Sequence, residues 1–192
     1  MGTIDLQLHV RHSKGGLFTD PLFAPGGLVE RQKFECEGPH GSFMLDDSDA
    51  PVIFIARGVG YAPIRSIILD AFRNNIERPM VFYWGARTPT GLYAMDELTS
   101  WAQEYPFFEF VPVVAEPPAG QQWEGRIGQV YEAVCEDSRD ISGAMVYACG
   151  SPDFVTESKS RLMSEAGMVE SRFHADPFIT EAELHSEAAI TG

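Results

Sequence analysis

An unbroken apolar run, Val52-Ile53-Phe54-Ile55-Ala56, delivers the chain into Arg57-Gly58-Val59-Gly60-Tyr61-Ala62-Pro63, and no other stretch limits the fold as much. Apolar residues with no polar alternate read as a strand covered on both faces, which belongs in a parallel sheet. Glycines spaced by one residue let a backbone bend sharply and lie close to a ligand. The helix that follows offers unpaired N–H groups and a positive dipole end to a phosphate. Pro63 stands where the dinucleotide fingerprint usually has its third glycine; at the first helical position it sacrifices no hydrogen bond. An ordinary strand-to-helix turn has the same form, so the rest of the chain decides between them.

From residue 51 onward strands and helices alternate. Ile64, Ile67, Ile68, Ala71 and Phe72 recur at helical spacing up to Asn74-Asn75. A second strand at 80–84 is expected to stop at Gly85, with a helix over 92–101, a third strand over 107–114 and a loop at Pro117-Pro118-Ala119-Gly120. A short helix over 127–135 and a buried strand over 145–149 follow. Gly150-Ser151-Pro152 then opens a helix capped by Gly167, and a fifth strand is expected over 168–174. The expected fold is α/β: a five-stranded parallel, doubly wound nucleotide-binding domain over 49–180, with ligands at the strand C-terminal ends.

Residues 1–48 obey a different rule. Ile4, Leu6, Leu8 and Val10 alternate with Asp5, Gln7, His9 and Arg11, the period-two pattern of a half-covered antiparallel strand. Gly15-Gly16 and Gly26-Gly27 bracket a loop or short helix, and a second short strand is expected over 34–37. So few strands cannot close a barrel, so this part reads as the end of a partial antiparallel β-barrel. Residues 181–192 form an acidic tail.

The charge balance narrows the partners. With 14 basic against 28 acidic residues the chain carries −14, which opposes nucleic-acid binding and leaves no polybasic membrane patch. No apolar run approaches the roughly 20 residues that span a bilayer, and the start lacks a signal-peptide pattern, so a cytoplasmic location is expected. Cys36, Cys135 and Cys149 are odd in number and widely spaced, which excludes a disulfide framework and a four-cysteine iron–sulfur cluster. His9 and His12 fall on opposite faces of a strand, so no metal site is expected.

Six motifs stand in order: Gly15-Gly16-Leu17-Phe18-Thr19, Gly38-Pro39-His40-Gly41-Ser42-Phe43, Gly58-Val59-Gly60-Tyr61-Ala62-Pro63, Tyr83-Trp84-Gly85-Ala86-Arg87, Gly125-Arg126-Ile127-Gly128 and Tyr147-Ala148-Cys149-Gly150-Ser151-Pro152. In these the chain resembles the ferredoxin–NADP reductase superfamily, above all the reductase components of oxygenases and the CDP-6-deoxyglucoseen reductases. The resemblance implies a flavin oxidoreductase that moves a hydride from NAD(P)H to FAD and electrons on to a [2Fe-2S] or oxygenase partner. It also implies roles. Gly58, Val59, Gly60, Tyr61 and Pro63 would meet the dinucleotide pyrophosphate, and Arg87 with Thr88 the adenosine ribose or its phosphate. Cys149, Gly150, Ser151 and Pro152 would meet the nicotinamide, with Cys149 the candidate beside the reacting ring, though not as a thiol nucleophile. Gly16 and Thr19 would bind FAD phosphates, and Phe178 would lie near the flavin ring.

Departures from the pattern qualify this. Relatives usually have a small residue at 57 and a hydroxyl at 59, where this chain has Arg57 and Val59, and the Arg-x-Tyr-Ser flavin segment has no counterpart. An acidic ribose ligand about 20 residues past the glycines is missing and Arg87 occupies that loop, which tolerates a phosphate, whereas the oxygenase-reductase resemblance favours NADH. Three readings follow: a reductase module, a non-catalytic dinucleotide-binding module that has lost flavin, and an interaction protein that has lost both ligands.

Overall fold

The computed structural model describes residues 6–178 apart from 28, 30, 39, 118, 119, 121, 122 and 139. The acidic tail, Ile4 and Pro39 thus lie outside the described residues. The chain divides between Ser42 and Phe43 into two compact units.

In the second unit the strands are β1 (Val52–Arg57), β2 (Met80–Ala86), β3 (Phe108–Val114), β4 (Arg126–Ile127), β5 (Met145–Gly150) and β6 (Phe173–Pro177). They form one sheet of six strands in the order β4-β3-β2-β1-β5-β6, with every pairing parallel. Helices α2 (Tyr61–Arg73) and α3 (Met95–Glu104) cover one face, and α4 (Val130–Asp137) and α5 (Pro152–Glu165) cover the other. The apolar runs explain this arrangement. Val52, Phe54 and Ala56 face α2 and α3, while Ile53 and Ile55 face α4 and α5, so β1 is buried on both sides. Each fully covered Ile, Leu or Phe contributes roughly 2 kcal/mol. Ile64, Ile67, Ile68 and Ala71 form the buried stripe of α2, as their spacing predicts. That helix ends where Asn75 adopts φ 54°, and the N–H groups of Ile76 and Asn75 return to the carbonyls of Ala71 and Phe72.

Several boundaries differ from the sequence expectation, each for a local reason. The sheet has six strands rather than five, because Arg126–Ile127 pairs with β3, a run too short for any periodicity to register. Ile127 therefore belongs to a strand. Helix α4 starts three residues later, where Gln129 and Glu132 form a reciprocal capping box. Gly85 lies inside β2 instead of ending it: a Cβ there would meet Val130 Cγ2 at 2.4 Å, so the glycine lets α4 approach the sheet. Residues 89–91 form a 3-10 turn, which delays α3 to Met95. Another such turn at Glu170–Arg172 delays the last strand to Phe173. Pro63 is the third residue of α2, still within the first turn, whose N–H groups have no intrahelical acceptor.

Residues 43–50 strap across the α2 face. Arg78, whose side chain is 4% exposed, donates to the Asp46 carboxylate at 2.8 Å and to the Ser48 carbonyl. The Asp46 N–H donates to the Tyr147 hydroxyl at 2.9 Å, and Phe43 meets the Tyr147 ring edge-on.

In the first unit, helix α1 (Thr19–Phe23) lies between the two glycine pairs. No strand is present among the described residues of 6–42, so the expected strands near 6–10 and 34–37 are not seen there. Alternation alone does not make a strand; it needs a ladder partner. Leu6 and Leu8 remain 70% and 60% exposed, and no described residue of this unit is buried.

Candidate functional site at the C-terminal edge of the sheet

Parallel strands bring their C-terminal ends to one edge, and here the strand order reverses between β1 and β5. A crevice opens at such a reversal. Gly58–Gly60 and Gly150–Pro152 flank it, and Arg87–Thr88 leaves the neighbouring strand end.

The first turn is fixed from beneath. Gly58 adopts φ 58°, a conformation that favours glycine, and its carbonyl accepts the Trp84 indole N–H at 2.9 Å. At Gly60 a Cβ would lie 2.2 Å from the Cys149 carbonyl oxygen, so only glycine lets the turn pack on β5. Tyr61 is fully buried and stacks on Trp84 with ring centres 4.5 Å apart; its hydroxyl donates to Glu97, which Arg65 also holds at 2.7 Å. Burial, followed by the Glu97 contact, pushes the Tyr61 hydroxyl pKa well up, so it stays a neutral donor. The Tyr61 side chain is therefore a support of the turn. Val59 and Pro63 are half-buried on its outer side.

At the second turn, Cys149 is fully buried on the α2 face and pairs in register with Asp176. Burial first, and Asp176 second, push its thiol pKa far above the ordinary value, so the sulfur is neutral and apolar. Gly150 has no room for a side chain, since a Cβ would meet the Phe154 ring at 2.8 Å. Its carbonyl accepts the Phe178 N–H at 2.8 Å, which brings the half-exposed Phe178 to this end of the crevice. Ser151 caps α5 by accepting the Phe154 N–H, and Pro152 takes the first helical position.

At the other end Arg87 is highly exposed and donates to Glu116 at 2.9 Å, while the Thr88 hydroxyl meets that of Thr90 at 3.0 Å. Sequence reasoning passed over Glu116. The signal was available in principle: once β3 is placed beside β2, with Ala86 opposite Val114, the residue two past β3 reaches the loop after β2. Trp84 was passed over too, because its role depends on a carbonyl 26 residues away.

Gly16 and Thr19 lie in the other unit and form a closed local turn. The Thr19 hydroxyl donates to the Ser13 carbonyl at 2.9 Å and accepts the Ser13 N–H at 3.1 Å. The Gly16 N–H donates to the same carbonyl, and Asp20 accepts the Gly15 N–H. The Gly15 and Gly16 N–H groups and the Thr19 hydroxyl are thus engaged within the turn.

A hollow of about 530 Å³ opens at the opposite edge, framed by Pro51, Pro79, Pro106, Glu109 and Asp140. It lies at the strand N-termini, away from both glycine turns, and lacks the dinucleotide chemistry of the C-terminal edge. Among the described residues no three His, Cys, Asp or Glu side chains group as metal ligands, and no helix is long and apolar enough to cross a membrane.

Comparison with known proteins identifies the family. Residues 54–160, more than half of the chain, match the oxidoreductase NAD-binding domain family. The chain is 33% identical over 178 residues to the CDP-6-deoxy-L-threo-D-glycero-4-hexulose-3-dehydrase reductase of Yersinia pestis, covering 93% of this chain and 52% of that one. It is 32% identical to the NAD(P)H-flavin reductase of Vibrio harveyi, covering 91% of this chain and 74% of that one. The solved structure of the Amycolatopsis cytochrome P450 reductase GcoB superposes with a TM-score of 0.80 at 32% identity, covering 89% of this chain and 51% of that one. The chain thus spans about half the length of the first and third of these. With a switch-point crevice, two glycine turns at one sheet edge and this match, the chain belongs to the oxidoreductase NAD-binding domain family, within the ferredoxin–NADP reductase superfamily.

Proposed function

We propose that the chain is the nicotinamide-binding part of a flavin-dependent reductase, which takes a hydride from NADH to FAD and passes electrons to a [2Fe-2S] or oxygenase partner. The observation that carries this reading is the gathering of Gly58–Gly60, Arg87–Thr88 and Gly150–Pro152 on one edge at the strand-order reversal. In this reading the N–H groups at the start of α2 face the pyrophosphate, and Arg87 with Thr88 holds the adenosine ribose. Gly150 leaves a flat, side-chain-free surface for the nicotinamide, closed below by the neutral Cys149 sulfur and flanked by Phe178. The bound cofactors supply the redox chemistry, and the chain orients them and excludes water. No side chain here need carry a proton.

Glu116 supports NADH over NADPH. Its carboxylate satisfies Arg87 and adds negative charge where a 2′-phosphate would sit, while it can accept hydrogen bonds from ribose hydroxyls. The division between Ser42 and Phe43, a few residues before the boundary expected at 48, goes with a nicotinamide domain preceded by a separate flavin-binding part. A cytosolic setting, where reduced nicotinamide is available, goes with this role.

The test is equilibrium binding of NADH and NADPH to the full chain, followed by absorbance after addition of FAD. NADH is expected to bind more tightly, and Glu116→Gln to narrow the difference. Much tighter NADPH binding by the wild type would overturn the preference. The engagement of Thr19 within its own turn favours a second reading, a dinucleotide-binding module without flavin. Retention of stoichiometric FAD by the chain alone would exclude that reading.

A further inference from the structure

The feature that the reading above does not use is Arg57. Acidic residues outnumber basic ones two to one, 28 against 14, and the cations of the second unit are accordingly taken up. Arg65, Arg78, Arg87, Arg126, Lys159 and Arg161 each hold a carboxylate, and Arg172 donates to the Gly143 carbonyl. Among the described residues of this unit, Arg57 and Arg73 alone have no such partner. Arg73 lies in the last turn of α2, where the helix dipole favours a cation, at the far end from the crevice. Arg57 is different. It ends β1 at the strand-order reversal, exposed, with no acid of the described residues set against it.

Its direction follows from the strand. Ile53 and Ile55 face α4 and α5, so Arg57, two residues on, projects to the same side. Its Cβ is 3.5 Å from where a Gly150 Cβ would stand, which sets its stem beside Gly150. The Gly58–Gly60 turn and the start of α2 lie on the other side of β1. A dinucleotide crossing from Arg87 to Gly150 must pass between that turn and Arg57, and the doubly charged group at its middle is the pyrophosphate.

We propose that Arg57 is a binding residue for the pyrophosphate of the dinucleotide, holding it from the α5 side while the backbone amides of the glycine turn hold it from the α2 side. This rests on the dinucleotide reading above. A guanidinium is suited to it, because it stays charged and presents forked donors to phosphate oxygens. Arg57 thereby supplies charge beside a turn whose other donors are backbone amides. An unpaired, exposed cation contributes little to folding, so its removal should act on the ligand alone.

The experiment is calorimetric titration of the full chain with ADP-ribose, which carries the pyrophosphate, and with adenosine, which carries no phosphate. Arg57→Ala is expected to raise Kd for ADP-ribose about tenfold or more. Adenosine binding and the melting temperature should not change. Arg57→Lys should recover part of the loss, and added salt should shrink the difference between wild type and Arg57→Ala. ADP-ribose binding to Arg57→Ala as tight as to wild type, or an equal loss for adenosine, would overturn the proposal. Wild-type protein that binds neither NADH nor ADP-ribose would overturn the dinucleotide reading itself, and this assignment with it.

Discussion

The turns at Gly15-Gly16 and Gly58–Gly60 look alike on the page of the sequence and rest on different things. The first is closed by its own neighbours, with Ser13, Thr19 and Asp20 taking its polar groups, in a unit none of whose described residues is buried. The second rests on Trp84, Tyr61 and the Cys149 carbonyl, all fully covered parts of a two-faced core. A glycine pair alone therefore says little about ligand binding; what lies beneath it determines whether the turn is held by the core or only by its own neighbours.

Alanine at each turn breaks or sharpens that contrast most strongly. Gly60→Ala forces a Cβ to within 2.2 Å of a backbone carbonyl that sheet pairing prevents from moving. A loss of about 3 kcal/mol in denaturant stability is expected, together with loss of NADH binding. At Gly16 a Cβ would meet the Thr19 hydroxyl at 2.5 Å and the Ser13 carbonyl at 2.9 Å, but both belong to an exposed local turn that can open to relieve the contacts at the cost of its own hydrogen bonds. Gly16→Ala should cost less than about 1 kcal/mol and leave the unfolding of the second unit unchanged. Equal effects at the two sites would remove the distinction between a supported and a free-standing turn.

The strap at 43–50 extends the contrast, since a segment without regular structure is here held by a buried cation. Arg78→Ala removes the partner of Asp46 and of the Ser48 carbonyl, and a loss of about 2–3 kcal/mol is expected by chemical denaturation. Burial alone would raise the Asp46 pKa, but hydrogen bonds from Ser48 and Arg78 outweigh it and hold the pKa below the ordinary carboxylate value. The folded pKa is thus the lower one. The contribution of Asp46 to stability is present above the unfolded value and is lost as pH falls through the folded value. Asp46→Asn should flatten that acid limb in denaturation curves taken from neutral pH downward.

Trp84→Phe tests the support under Gly58 more gently. The ring stack with Tyr61 can persist while the indole N–H is lost, leaving the Gly58 carbonyl with the Tyr61 N–H but without its buried side-chain donor. About 1–2 kcal/mol of stability should go, and NADH binding should weaken by a larger factor than that of a core variant remote from the turn, such as Leu162→Val, at equal stability loss.

Much of this was legible in the sequence because the signals are local. The run at 52–56 and the stripe through Ile64 and Ile68 carry their period in a few consecutive residues, and the structure places them as read. What could not be read depends on partners distant in sequence. Gly85 serves the approach of Val130 rather than ending β2, and Ile127 becomes a strand only by pairing with Val114. The alternation near 6–10 pointed to a strand that is not seen, because no ladder partner is present among the described residues. The motif glycines were legible as glycines, but the Cys149 carbonyl that makes Gly60 necessary was not.

The smallest effect on folding is expected where the sequence placed a ligand contact and the structure places a surface ion pair. The Arg87 side chain is 76% exposed and its partner Glu116 57% exposed, so water and salt screen the pair. Arg87→Ala should change the melting temperature hardly at all. A fall in affinity for NADH in that variant would then report a lost ligand contact and not a damaged fold, and the same fall for adenosine would assign it to the adenosine end. The pair of measurements also separates the two arginines at the crevice, because Arg57→Ala should spare adenosine where Arg87→Ala does not. If Arg87→Ala binds both ligands like wild type, the role carried over from the sequence motif fails at this residue, and the Arg87–Glu116 pair is a solvated loop contact.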